Sequence, residues 1–303
     1  MPDRLYLRGK CTLLFEKITP GSIIVDEALK DYSFGISKSR QDIKMKLLQD
    51  GKTIEAESVV ASFKPNILQI LRTSDYDKLS DGEKTELHTV TRPISESVRQ
   101  FAGLLKQELH RYDITDNLIG NCYYEWSLGD NQWYRIPRGL SVDVGVSSLG
   151  NLGEKTVKHL QELLSEDEEA LVATNYLHQA RNSMNRRYQW IYATMAAELA
   201  VKEIIVRIEP KFEVIVTTLP SPPLNKLYGD VLESVAGVKS TSLTTLQNGA
   251  RKRNKLVHNP KSATPTFNEV NEYIDFIEGK IKWLLETWRA IKRTKLDQIT
   301  EQK

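Results

Sequence analysis

The stretch that decides the fold of the second half of the chain is Arg186–Ile208, with the sequence RRYQWIYATMAAELAVKEIIVRI. Alanines and other residues that favour helices fill this stretch, and Pro210 follows shortly after it. Its larger apolar residues recur at helical spacing, namely Tyr188, Ile191, Tyr192, Met195, Leu199 and Ile205. The stretch predicts a largely buried helix at the centre of a helical domain.

Other helices are predicted around this one. Ser165 followed by Glu168 fits a capping box, which predicts that a long helical region begins there. Three further helices are predicted at 224–235, 242–257 and 268–292. The first should end at Gly237 and the second just before Pro260, because a residue that precedes proline disfavours helical backbone angles. The second half therefore predicts an all-α bundle.

The first half of the chain carries strand patterns instead. Strands are predicted at Leu5–Phe15, Ser22–Val25, 42–48, 53–63, 121–126, 132–136 and 140–146. Asp50-Gly51 should form a hairpin turn, and an amphipathic helix is predicted at 95–111. Small and turn-forming residues at 147–153 separate the two patterns. We therefore expect a two-domain α+β protein, with a β-rich domain of antiparallel sheet plus helix at 1–150 and a helical domain at 151–303.

Composition excludes several classes of protein. The net charge of +2 argues against a general nucleic-acid coat protein. No apolar run reaches the roughly 20 residues that span a bilayer, so we expect no membrane association and a cytoplasmic location. Cys11 and Cys122 lie outside any CxxC or Cys/His cluster, which predicts two buried reduced thiols, no disulfide and no metal site. No cofactor is expected either.

Positive charge is concentrated late in the chain. The segment 234–268 contains no Asp or Glu, and within it lies RKRNKLVHNP at 251–260. A guanidinium can hold phosphate oxygens by paired hydrogen bonds, and an imidazole can move protons near neutral pH. Arg251, Lys252 and Lys255 are candidates for contacts with an RNA backbone, although a solvated basic helix face explains them equally well.

Arg253 and His258 carry the strongest hypothesis about function. On a continuous helix, residues five apart point about 140° away from each other, so these two side chains would not share a face. They would meet if the helix unwound at His258 before Pro260, or if a second copy of the chain supplied one of them. The plainer interpretation is that the cations only solvate the helix end while His258 bonds a carbonyl.

Arg253-Asn254 followed by His258 resembles the R-x(4-6)-H signature of the HEPN superfamily, including the polar residue that often follows the arginine. The resemblance implies a helical bundle that forms a homodimer and cuts RNA without metal, with Arg253, Asn254 and His258 as the catalytic residues. His258 would transfer protons, Arg253 would stabilise developing charge and Asn254 would orient the phosphate. The chain lacks the tyrosine that follows the histidine by two positions in one toxin subgroup, so membership of that subgroup is not implied.

Glu198 interrupts the apolar part of the central helix and could pair with Arg253 to hold its guanidinium; an exposed helix edge is the alternative. In the leading hypothesis, the β-rich domain senses a trigger, binds a regulatory partner or selects a target, and the helical domain dimerises and cuts RNA in stress or phage defence. Two rival hypotheses remain. The helical domain is a non-catalytic module for nucleotide or RNA binding or for dimerisation, or the whole chain is a protein-interaction adaptor.

Overall fold

The computed structural model describes residues 4–15, 22–26, 29, 31–39, 41–64, 66–73, 76–111, 114–129, 132–136, 149–218, 221–259 and 261–301. The chain divides into two compact units, Met1–Ala170 and Leu171–Lys303. The first unit contains an antiparallel sheet with helices and the second is helical, so the fold is α+β. The division follows Ala170 because the helix after residue 153 contacts the sheet of the first unit, whereas the sequence predicts a boundary at 150/151.

The main sheet has six strands. They are β1 (Leu5–Phe15), β3 (Phe34–Lys38), β4 (Gln41–Leu47), β5 (Thr53–Val60), β6 (Ile114–Ser127) and β7 (Tyr134–Arg135). Their order is β3-β4-β5-β1-β6-β7, and every neighbouring pair is antiparallel. A separate parallel pair joins β2 (Ser22–Val25) to β8 (Leu149–Leu152). The sequence did not predict β3 or β8, and the predicted strand at 140–146 lies outside the described residues.

The turn between β4 and β5 confirms the hairpin predicted at Asp50-Gly51. The Asp50 carboxylate accepts hydrogen bonds from the backbone N–H groups of Lys52 and Thr53, at 2.9 and 2.8 Å. Gly51 adopts φ +64°, and a Cβ at this position would lie 2.1 Å from the carbonyl oxygen of Ile23. Only glycine fits there, because both its backbone angle and the space exclude a side chain.

One face of the sheet is covered by a long helix. In the first unit α1 is Ile67–Arg72, α2 is Asp81–Glu108 and α3 is Glu154–Ser165. The helix α2 begins well before the predicted start at residue 95, since Ser80 and Glu83 form a capping box. It contacts the sheet so closely that a Cβ on Gly9 of β1 would lie 2.8 Å from Ile94. The hydrophobic core of the unit lies between them.

Helix α3 covers the free edge of the sheet at β3. The side-chain amide of Gln161 accepts a hydrogen bond from the backbone N–H of Gly35 at 2.8 Å and donates one to its carbonyl oxygen at 3.1 Å. The capping box predicted at Ser165 and Glu168 is wrong. Ser165 ends a helix instead of starting one, and its hydroxyl donates to the carbonyl oxygen of Glu162.

The two cysteines correct another prediction. Cys11 of β1 lies directly opposite Cys122 of β6, and the two form a disulfide with their Cα atoms 4.0 Å apart. Both residues are buried, as predicted, but they are not reduced thiols. The pairing follows from the register of two strands that are 111 residues apart in sequence, which no local spacing reveals.

The second unit is built around one central helix. Its elements are α4 (Ala173–Asn182), α5 (Arg186–Ile208), α6 (Glu213–Thr218), α7 (Leu224–Lys226), a π-turn (Leu227–Val231), α8 (Leu232–Ala236), α9 (Leu243–His258) and α10 (Phe267–Glu301). Helices α4, α9 and α10 pack against α5. The bounds of α5 confirm the prediction for the central helix. None of the described helices is long and apolar enough to cross a membrane.

The buried face of α5 differs from the predicted one. Of the six large apolar residues that predicted it, only Ile205 is buried, and Tyr188 is 51% exposed. Half of the buried positions carry alanine or threonine, namely Ala193, Thr194, Ala196, Ala197 and Ala200, and the other half carry Trp190, Val201, Ile204, Ile205 and Ile208. Small side chains let the neighbouring helices approach closely, so the alanines mark the contact face, whereas five of the six residues used for the prediction lie outside it.

Candidate active site at the end of helix α9

Helix α9 remains helical through His258, and this fixes the directions of the candidate side chains. The N–H group of Asn259 donates to the carbonyl oxygen of Lys255 at 2.9 Å, so the last turn is closed. The helix therefore does not unwind at His258, which the sequence left open. Arg253 and His258 point about 140° away from each other within one chain. Of the two routes that would bring them together, only a second copy of the chain remains.

Arg253 lies on the face of α9 that is turned toward the unit's interior, the face that also carries the buried Leu246, Gly249 and Leu256. It is partly buried, and one of its terminal nitrogens donates a hydrogen bond to Oδ1 of Asn254 at 2.9 Å. Its Nε atom is buried and has no hydrogen-bond partner within the described residues. A buried donor without a partner costs about 1–3 kcal/mol, and because this Nε is shielded from solvent, an incoming acceptor would have to meet the terminal nitrogens of the guanidinium.

Glu198 of α5 lies within the electrostatic reach of Arg253. Burial raises the pKa of Glu198, but hydrogen bonds from Lys202 and Ser221 and the charges of Lys202 and Arg253 outweigh burial and lower it below its ordinary value. The direct ion pair of Glu198 is with Lys202, at 2.8 Å. Glu198 is thus an ionised carboxylate near Arg253, and Lys202 is the cation that it contacts.

Tyr273 of α10 places the Arg253 guanidinium at a junction of three helices. Burial raises the pKa of Tyr273 to about 12, even though its hydrogen bond with Thr194 and the charge of Arg253 lower it in part. The Tyr273 ring also fills the space beside Gly249, where a Cβ would lie 2.3 Å from the tyrosine oxygen. Arg253 therefore lies near the place where α5, α9 and α10 meet.

The three other basic residues of the segment differ in their surroundings. The Lys252 ammonium donates to Oε1 of Glu269 at 2.8 Å and lies 4.3 Å from the ring centroid of Trp190. Arg251 and Lys255 are exposed, and neither forms an ion pair within the parts of the chain that the structure describes. Arg251 and Lys255 can therefore contact a phosphate backbone without breaking an ion pair of the described residues. Lys252 would first have to leave Glu269 and Trp190.

His258 and Asn254 both face solvent. His258 is exposed on the last turn of α9, and across the described ranges its ring makes no hydrogen bond. Asn254 is also exposed and accepts the hydrogen bond from Arg253. The imidazole is thus accessible to a ligand or to another protein chain. The carbonyl contact that would make His258 a simple helix-end residue is not observed among the described residues.

Arg187 of α5 belongs to this region, although the sequence did not point to it. Its guanidinium donates to the carbonyl oxygens of Leu256 at 2.9 Å, Ser262 at 3.1 Å and Asn259 at 3.4 Å. The acceptors are backbone atoms between 69 and 75 residues away in sequence. No motif or spacing marks such a contact, because it depends on how α5 and α9 pack.

Among the described residues, no group of three or more His, Cys, Asp or Glu side chains is placed to hold a metal ion. The candidate site consists of one guanidinium, one amide and one imidazole on α9, with a carboxylate on α5. Comparison of the chain with family models, with curated proteins and with solved structures finds no match.

Proposed function

We propose that the chain is a metal-independent endoribonuclease of the HEPN type, with Arg253, Asn254 and His258 as its catalytic residues. The observation that carries the proposal is the arrangement of three groups on α9: the partly buried Arg253 guanidinium donates a hydrogen bond to the exposed Asn254, and an exposed imidazole follows five residues after Arg253. A guanidinium of this kind can bind phosphate oxygens, and the imidazole can exchange protons with solvent-accessible groups.

In the proposed reaction the 2′-oxygen of a ribose attacks the adjacent phosphorus, and its proton passes to an imidazole. The bond from phosphorus to the 5′-oxygen breaks, and the departing oxygen takes up a proton. The products are a 2′,3′-cyclic phosphate and a 5′-hydroxyl. Arg253 stabilises the negative charge that develops on the phosphate oxygens, and Asn254, which is bonded to Arg253, orients the phosphate. Glu198 contributes a negative charge near Arg253.

The divergence of Arg253 and His258 in one chain requires two copies of the helical unit. In the proposed homodimer, His258 of one copy faces Arg253 of the other across a shared cleft, and RNA lies between them. Arg251 and Lys255 are exposed on the same helix and would contact the RNA backbone, with Lys252 as a weaker contributor because it already pairs with Glu269.

A second candidate is a non-catalytic module that binds RNA or nucleotide or that serves only for dimerisation. The same divergence favours it, because a single chain does not bring its cation and its imidazole together. In either case the first unit is proposed to receive a trigger, a regulatory partner or a target, and the cell would use the protein in stress or phage defence. An adaptor role for the whole chain is the remaining alternative.

The decisive experiment incubates purified protein with mixed RNA in EDTA and identifies the end groups of the products. We expect cleavage with 2′,3′-cyclic phosphate ends, and loss of cleavage in His258→Ala and in Arg253→Ala. His88→Ala and Arg186→Ala are matched controls, because both remove an exposed side chain of the same type elsewhere. Cleavage that persists in both site variants would exclude the site.

Mixing the two inactive variants tests the shared cleft. If His258 of one copy acts with Arg253 of the other, a heterodimer of His258→Ala and Arg253→Ala contains one intact pair and one doubly damaged pair. Exchange of subunits should then restore part of the activity. If both residues act within the same chain, no intact pair forms and the mixture stays inactive, which would contradict the geometry proposed here.

A further inference from the structure

The end of α9 is held by a side chain from another helix. The last carbonyl groups of an α-helix have no partner within the helix, and terminal turns fray unless something else binds them. Here the Arg187 guanidinium binds the carbonyl oxygen of Leu256 inside the last turn. It also binds the carbonyl oxygens of Asn259 and Ser262 beyond the helix. His258 lies between two of these three acceptors.

The loop after the helix reinforces the same end. The hydroxyl of Ser262 donates to the carbonyl oxygens of Lys255 at 3.3 Å and Asn259 at 2.8 Å, and the Ser262 N–H donates to the carbonyl oxygen of Asn259 at 3.0 Å. The chain thus folds back onto the helix terminus, and Arg187 binds both the helix and the returned segment. A guanidinium suits this role, since its five N–H groups lie in one rigid plane and reach several oxygens at once.

Arg187 is itself fixed at its base. Its backbone N–H donates to Oδ1 of Asn185, which caps the start of α5, at 2.9 Å. Less than one turn further along α5, Nε1 of Trp190 donates to the carbonyl oxygen of Gly249 at 3.1 Å. Helix α5 therefore binds α9 at two places. Trp190 binds the middle of α9, and Arg187 binds the C-terminal end of α9.

We infer that Arg187 is a positioning residue that holds the last turn of α9 and so fixes the place of the His258 imidazole. The inference rests on the proposed function for its effect on catalysis. It does not make Arg187 a catalytic residue, because the guanidinium is committed to backbone carbonyls. Loss of these bonds would let the last turn open, and an imidazole displaced by about 1 Å lowers the rate of a reaction on the order of 100-fold.

The experiment compares Arg187→Ala, Arg187→Lys and the control Arg186→Ala, which removes an exposed arginine one position earlier. Hydrogen exchange is measured for the amides of 256–262 except Pro260, which has no N–H group, and cleavage kinetics are measured well below the melting temperature. In Arg187→Ala we expect faster exchange confined to 256–262 and a kcat lower by about 10- to 100-fold with little change in KM. Arg187→Lys should restore part of the slow exchange and part of the kcat, because the lysine ammonium can still donate to carbonyl oxygens.

The two proposals fail in different ways. Unchanged exchange at 256–262 in Arg187→Ala overturns the inference, whether or not the protein cuts RNA. Faster exchange with a wild-type kcat also overturns it, since the last turn would then not position His258. A wild-type protein that cuts no RNA refutes the proposed function, and the exchange of the His258 and Asn259 amides then decides alone whether Arg187 holds them.

Discussion

Trp190 and Tyr273 stack face to face, with ring centroids 4.0 Å apart and planes 8° from parallel. The pair joins α5 to α10, and both rings also contact α9. The indole of Trp190 donates to the carbonyl oxygen of Gly249, and the Tyr273 ring lies against the Gly249 backbone. Three helices are therefore held together by two rings and one glycine, about one helical turn before Arg253.

Gly249→Ala should destabilise the second unit. The new methyl group would lie 2.3 Å from the oxygen and 2.5 Å from two ring carbons of Tyr273, which cannot withdraw because it is stacked on Trp190 and bonded to Thr194. Overpacking of this kind costs about 1–3 kcal/mol, and the better helix propensity of alanine offsets part of it. The loss would appear as a lower midpoint of urea unfolding.

Gly279→Ala is the matched control for this substitution. Gly279 lies in α10 and is exposed, and a Cβ added to it would have no neighbouring atom within 4 Å among the described residues. Alanine there should raise the free energy of unfolding by up to about 1 kcal/mol, since glycine is the poorer helix former. Equal effects of the two substitutions would show that the contact with Tyr273 imposes no constraint.

Glu269→Gln should reduce the loss of unfolding free energy that the wild type shows as pH falls into the acid range. The hydrogen bond from Lys252, together with those from Thr266, lowers the pKa of Glu269 from 4.5 to about 2. A depressed carboxyl pKa contributes stability above the pKa of the unfolded chain and loses it as pH falls toward the folded value. The wild type should therefore exceed the variant above about pH 5, and the difference should vanish toward about pH 2.

The size of this effect is limited by solvent. The Glu269 side chain is 49% exposed, so the difference in unfolding free energy should stay below about 1 kcal/mol. Glu272→Gln, which removes an exposed carboxyl three residues along the same helix, serves as the control. Urea unfolding at a series of pH values would measure both. A difference between wild type and Glu269→Gln that is the same at pH 6 and at pH 2 would contradict the role of this carboxylate.

Reduction of the Cys11–Cys122 disulfide should weaken the first unit. The bond closes a loop of more than a hundred residues, and disulfides typically contribute about 2–4 kcal/mol, mainly by restricting the unfolded chain. Unfolding should therefore shift to lower urea when a phosphine reductant is added, and a variant that lacks both cysteines should not respond to the reductant. Two thiols that react with a labelling reagent in the denatured, unreduced protein would show that no bond had formed.

Arg251→Gln and Lys255→Gln should weaken RNA binding in a salt-dependent manner. Each removes one exposed cation, and each lost phosphate contact lowers the slope of log K against log salt concentration by about 0.7 for single-stranded RNA. Fluorescence anisotropy with the catalytically inactive His258→Ala protein would give the slopes without cleavage. Lys261→Gln, an exposed cation beyond the helix, is the control, and a slope that does not change in either α9 variant would remove them from the interface.

Elements with a strong local pattern were predictable from the sequence. The bounds of α5 match the predicted 186–208, and α9 differs from the predicted 242–257 by one residue at each end. The first strand and the Asp50-Gly51 turn are also as predicted. In each case the signal lies within the element itself, as a hydrophobic period, a helix stop or a turn residue.

Features that depend on distant partners were not predictable. The strand β8 has the sequence LGNL, which resembles a linker, and it becomes a strand by pairing with β2. The Cys11–Cys122 bond depends on the register of β1 against β6. The first half of α2 is polar and contains Pro93, so its periodicity is weak, and the contact with the sheet stabilises it.

The residues of the candidate site were likewise predictable only in part. The sequence predicts Arg253, Asn254 and His258 as candidates because all three lie on one short segment with a recognisable spacing. It did not identify Arg187, whose acceptors are backbone carbonyls of another helix, nor the engagement of Lys252 with Glu269 and Trp190. A motif reveals residues that lie on one segment of the chain, but not residues that reach across from a neighbouring helix.

The pairing of Gln161 with Gly35 has a consequence for the behaviour of the protein at high concentration. A strand at the border of a sheet offers its outward N–H and C=O groups to any extended peptide, which is how sheets recruit foreign strands and grow into aggregates. At Gly35 both groups are already taken by one glutamine amide, which mimics the backbone of an incoming strand. Helix α3 thus occupies the pairing groups of Gly35 on the β3 edge, so a foreign strand cannot form the backbone hydrogen bonds of that residue.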